Sequence, residues 1–91
     1  MIMTKIEYLK NVYGELKTKL PDALILFRWG DWFQAIDEGA KVVSSTTGRP
    51  VFEAANIKVC IFGYRFIDIY LPTIAANKKV VIYEIKEGGQ D

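Results

Sequence analysis

The sequence predicts a single α/β domain, a mixed β-sheet flanked by helices. Three observations carry that expectation. Ala23–Trp29, Ile57–Gly63 and Lys79–Ile85 are short, apolar, β-rich runs of strand length. Before and between them, apolar residues recur at helical spacing. The chain has 91 residues, 51% hydrophobic and 25% charged, which is globular in composition and enough for one core.

The first helix is expected over about residues 4–19. Thr4-Lys5-Ile6-Glu7 fits a capping box, in which Thr4 accepts from first-turn amides and Glu7 reaches back. Ile6, Leu9, Val12 or Tyr13, Leu16 and Leu20 then recur on one face. Pro21 ends the helix, and Lys17 and Lys19 suit the negative end of its dipole.

Ala23–Trp29 is apolar on both alternating faces apart from Arg28, which suits a strand covered on two sides. Gly30-Asp31 is a turn, because glycine permits a tight reversal and aspartate favours one. If residues 32–36 then run extended, Trp32 and Gln34 share one face and Phe33 takes the other. This places an indole outward at a hairpin edge, with Phe33 and Trp29 in the core. Arg28 has two readings: a phosphate contact, or an inward-leaning partner for Asp or Glu.

A second helix is expected over 37–47, opened by Asp37 and Glu38, with Ala40, Val43 and Thr47 on its apolar face and Gly48 as its stop. Residues 49–56 read as loop with a short edge strand at Val51-Phe52. In Ile57–Gly63, Ile57, Val59 and Ile61 face one way, and Cys60 and Phe62 the other. Phe66–Ala76 reads as a helix that must loosen its first turn or kink at Pro72, with Asn77 as its cap. Strand, helix and strand in this order predict a right-handed parallel crossover. The domain is expected over 1–86, with 87–91 as a flexible tail.

Composition narrows the function classes. Net charge is +1, from 12 basic and 11 acidic side chains, and the longest basic run is Lys78-Lys79. That argues against tight autonomous DNA binding. There is no histidine, the commonest general base and transition-metal ligand. Cys60 is alone in an apolar run, an inert thiol rather than part of a metal cluster. No cofactor is expected. The first residues lack a signal-peptide layout and no apolar run nears 18 residues, so a soluble cytoplasmic protein without membrane contact is expected.

With these elements placed, the chain resembles the N-terminal mismatch-recognition domain of the MutS DNA mismatch-repair proteins. Pro21-Asp22-Ala23-Leu24-Ile25-Leu26-Phe27-Arg28-Trp29-Gly30-Asp31-Trp32-Phe33-Gln34 is similar to the family's Pro-Asp, apolar strand, Phe-Arg and Gly-Asp-Phe-Tyr-Glu. Asp37-Glu38-Gly39-Ala40-Lys41 resembles its acidic helix start, Val59-Cys60-Ile61-Phe62-Gly63-Tyr64 its Cys-Gly-Val-Pro-Tyr strand, and Asp68-Ile69-Tyr70-Leu71-Pro72 the segment that follows. The resemblance implies a non-enzymatic DNA-binding module. In the family, the Phe of Phe-x-Glu stacks on a mispaired base from the minor groove and the Glu hydrogen-bonds that base. Those positions carry Trp32 and Gln34 here. Trp keeps a stacking face, and Gln donates and accepts without a charge. The partner implied is DNA, bound weakly. No Gly-x-x-x-x-Gly-Lys-Ser/Thr phosphate loop occurs, so no ATP chemistry is expected of this chain.

Two other classes stand beside this one. A protein-interaction module would use an exposed Trp32 or Phe52. A magnesium-dependent nuclease would use Pro21-Asp22 with Glu84-Ile85-Lys86, two carboxylates for the metal and a lysine for the water. The nuclease pattern is short and widely spaced, and solvated charges at strand ends explain it equally well.

Overall fold

The structure is a computed structural model that describes residues 5–76 and 78–85. In chain order the elements are α1 (Lys5–Lys19), β1 (Ala23–Trp29), β2 (Trp32–Ile36), α2 (Glu38–Thr47), β3 (Phe52–Ala54), β4 (Ile57–Gly63), α3 (Ile67–Ala75) and β5 (Lys79–Ile85). A 3-10 turn over Tyr64–Phe66 leads into α3. Thr4, Asn77, Lys86 and the 87–91 tail lie outside the described residues.

The five strands form one mixed sheet in the order β3-β4-β2-β1-β5. β1 and β2 form a hairpin, β4 is antiparallel to β2, and β5 is parallel to β1. β4 and β5 therefore run in the same direction, as the strand-helix-strand order predicted. They are not neighbours, because α3 carries the chain past β2 and β1 to the far edge.

Helices cover both faces of this sheet. On one, Leu9 and Val12 of α1 pack against Ala23, Ile25, Phe27, Ile36, Ile57, Val59 and Ile85. On the other, α2 and α3 bring Ala40, Val43 and Ile74 against Leu24, Leu26, Phe33, Ala35, Cys60 and Phe62. The first five residues of β1 are buried because they alternate between these two cores. That explains a continuous apolar run where a one-sided strand would alternate.

Three local expectations are refined. β3 covers Phe52–Ala54, beyond the short strand expected at Val51-Phe52, and pairs Phe52 with Val59 and Ala54 with Ile57. Ala55 and Asn56 link it to β4 with φ of 54° and 64°, the doubly left-handed backbone of a type I′ hairpin. α3 accepts Pro72 inside the helix, with the looser 3-10 turn ahead of it. Asp37 precedes α2 but makes no side-chain cap; its carboxylate pairs with Lys10 of α1 and ties the two helices together past the end of β2. Gly48 ends α2 in the left-handed conformation, φ 79°, with its N–H donating to the Ser44 carbonyl. Among the described residues, no helix is long and apolar enough to cross a membrane.

Candidate nucleic-acid interface

The β1–β2 turn and the end of β4 converge at one end of the sheet. Trp29 pairs with Trp32 across a two-residue loop, and Gly30 supplies the positive φ, 62°, that the loop requires. Trp32 is also level with Gly63 of β4. The Tyr64 N–H donates to the Asp31 carbonyl at 2.7 Å and joins the two strand exits.

Trp32 is 54% exposed, whereas Phe33, the next residue, is 2% exposed. Gln34 is half-buried, on the same face as Trp32 and level with Phe27 and Ile61. The alternation predicted for this stretch is therefore present. The indole is not at an edge of the sheet, however. β2 is the central strand, and Trp32 begins it beside the two-residue turn. Phe33 stacks on Phe62 and Tyr64, with ring centroids 5.4 and 5.9 Å away, so the strand beneath Trp32 is anchored by an aromatic row. Trp29 packs in the α1-side core as expected, with Tyr8 edge-on at 6.3 Å.

Of the two readings of Arg28, the inward-leaning partner for Asp or Glu is not what the structure shows. Arg28 pairs with no carboxylate among the described residues; its guanidinium lies 4.1 Å from the Tyr64 ring centroid. Arg49 behaves similarly, 4.9 Å from the Phe66 centroid, with Nε donating to the Tyr70 hydroxyl at 3.2 Å. Arg65 is exposed. Arg49 and Arg65 line an open concavity of about 510 Å³ together with Asp31, Trp32, Gly63, Tyr64 and Phe66. All three arginines of the chain are thus at this end of the sheet, while the lysines are dispersed.

Sequence reasoning singled out Trp32, Gln34 and Arg28 but passed over Arg49, Tyr64, Arg65 and Phe66. The available signal was Tyr64-Arg65-Phe66 directly after a strand expected to lie near the Trp32 turn. Arg49 joins them only through the packing of α2 on α3.

The nuclease pieces do not assemble. β1 and β5 are parallel and in register, so Glu84 is level with Arg28, whereas Asp22 precedes the start of β1. Six residues of strand separate them, about 20 Å at roughly 3.3 Å per residue, too far for two carboxylates to share one ion. No group of three potential ligands for a metal occurs among the described residues. Phe52 is 47% exposed on β3, at the opposite edge of the sheet from β5.

This α/β domain thus gathers rings and guanidiniums at one end of its sheet, with an accessible indole among them. The chain belongs to the MutS domain I family, whose profile matches residues 8–90. Among curated relatives, the DNA mismatch repair protein MutS of Phocaeicola vulgatus is 38% identical over 76 residues, 77% of this chain. That of Porphyromonas gingivalis is 35% identical over 80 residues, 81% of the chain, and that of Methanothrix thermoacetophila 33% over 90, or 91%. The chain spans only 9–10% of the length of these relatives.

Proposed function

We propose that this domain is a non-enzymatic DNA-binding module that contacts mispaired or bulged duplex from the minor groove. Trp32 acts as the stacking wedge and Gln34 as the hydrogen-bonding partner of the exposed base. The observation that carries this reading is the half-exposed indole at the start of β2, sharing a face with Gln34 above a rigid aromatic row. Membership of a family whose curated relatives are named DNA mismatch repair proteins supports it. The contact needs neither ATP nor a metal.

Energetics make it weak. Base–aromatic stacking contributes about 1–3 kcal/mol. Opening a base step costs a few kcal/mol. The two nearly cancel, so affinity depends on phosphate contacts and falls with salt. Micromolar or weaker binding is expected of the domain alone. A residue-resolved NMR titration with matched, mismatched and bulged duplex tests the reading. Shifts concentrated at the Trp32 indole and the Gln34 amide, larger for mismatched DNA and lost in Trp32→Ala, are expected. Unmoved Trp32 and Gln34 signals at hundreds of micromolar DNA would refute it.

A further inference from the structure

Arginine placement in this fold is uneven. The chain has only three, and each is at the Trp32 end of the sheet. None is within ion-pair distance of a carboxylate among the described residues. Arg49 is also held in place: Phe66 covers one side of its guanidinium, and the Tyr70 hydroxyl accepts a hydrogen bond from its Nε–H. That leaves its terminal N–H groups without a hydrogen-bond acceptor among the described residues. A stacked, planar guanidinium with free edge donors suits a phosphodiester, which it can bind bidentately with little loss of side-chain freedom.

We propose that Arg49 and Arg65 form a phosphate-binding pair, and that the concavity they share with Trp32 seats one backbone phosphate of the strand that the indole contacts. The concavity is open, Gly63, Tyr64 and Phe66 also line it, and Asp31 is the one carboxylate lining it among the described residues. This assignment rests on the DNA reading above but adds residues outside the Trp32–Gln34 pair. It also accounts for how a chain of net charge +1 holds a polyanion: the useful charge is local.

The test is the salt dependence of duplex binding, followed by fluorescence anisotropy for Arg49→Gln, Arg65→Gln, Trp32→Ala and the control Lys19→Gln at the far end of α1. Each true phosphate contact contributes about 0.9 to the slope of log affinity against log salt. Arg49→Gln and Arg65→Gln are each expected to flatten the slope by about 1, equally on matched and mismatched duplex. Lys19→Gln should leave it unchanged, and Trp32→Ala should alter the mismatch preference but not the slope. Slopes for both arginine variants equal to that of Lys19→Gln would overturn the pair. Arg65 is exposed and decides the matter if Arg49→Gln, which loses two packed rings, fails to fold. A flattened slope with no effect of Trp32→Ala on mismatch preference would leave the phosphate pair standing and refute the wedge. Absence of any duplex binding by the unaltered domain would overturn both.

Discussion

Gly63 lies directly across the ladder from Trp32, and the space its missing side chain leaves faces the Phe66 ring and then the edge of the indole. A Cβ built there would be 4.0 Å from Cζ3 of Trp32 and 3.6 Å from the Phe66 ring, which is ordinary contact. Gly63 has an extended backbone, φ −70° and ψ 150°, that any residue adopts. Gly63→Ala should therefore be tolerated and stabilise the strand by about 0.5 kcal/mol, since glycine in a strand carries an entropic cost. Gly63→Leu has no room for its branches without moving the indole. Its fold should survive, with a shifted Trp32 emission and weakened duplex binding. Urea melts and Trp fluorescence of the two variants, with Trp29→Phe to isolate the signal, check both.

Trp32 and Phe33 are adjacent yet should respond in opposite ways to truncation. Phe33 is 2% exposed and stacks between Phe62 and Tyr64, so Phe33→Ala should cost about 3–5 kcal/mol. Against a total stability on the order of 5–15 kcal/mol, that brings the domain near unfolding. Trp32 has half its surface in water, and Trp32→Ala should cost at most about 1 kcal/mol while removing the base contact. Thermal melts of the pair read this directly. A Trp32→Ala loss as large as that of Phe33→Ala would mean the indole is structural.

The same two residues show what was legible beforehand. After a Gly-Asp turn, alternation alone separates an outward indole from an inward phenyl ring, because strand geometry leaves no third option. The two-sided burial of β1 was equally plain in its unbroken apolar run. What stayed hidden depended on partners distant in sequence. β2 proved central because β4 and β1 flank it, so Trp32 stands at a strand start and not at an edge of the sheet. Arg49 meets Tyr70 only after α2 and α3 pack together, and Arg28 lies on a ring where an ion pair was one of the two readings. The extent of β3 was obscured for another reason: it runs into a turn that goes against local preference, an alanine in the left-handed conformation.

That alanine is a place to gain stability. Ala55 holds φ 54° between β3 and β4, where its Cβ crowds the backbone and glycine would not. Ala55→Gly keeps the turn and should stabilise the domain by about 1 kcal/mol, since relief of the left-handed strain exceeds the added freedom of the unfolded chain. For a domain of this size the melting temperature should rise by about 4–8 °C. Asn56, also left-handed, tolerates that conformation better, so Asn56→Gly should give a smaller rise. Equal melting temperatures for Ala55→Gly and the unaltered chain would show that the strain is absorbed elsewhere.

Cys60 and Tyr13 give the fold a stability that declines in alkali. Burial on the α2–α3 side pushes the Cys60 thiol up, with Arg49 partly opposing it. Burial and then the neighbouring Asp37 carboxylate push the Tyr13 phenol up. Both groups are neutral acids whose folded pKa exceeds the unfolded one. Between those two values the unfolded chain binds fewer protons, so stability falls as pH rises. The contribution is intact below the unfolded thiol value of 9.0 and the phenol value of 10.0, and is lost through the higher folded values. Urea midpoints should therefore be flat near neutrality and decline above about pH 9. Cys60→Ala should remove the earlier part of the decline and Tyr13→Phe the later part. In the native state at pH 8 the thiol should resist a disulfide reagent until urea unfolds the chain, because the reactive thiolate is suppressed and enclosed. Rapid native-state labelling of Cys60, or a urea midpoint that rises with alkali, would contradict the assigned burial.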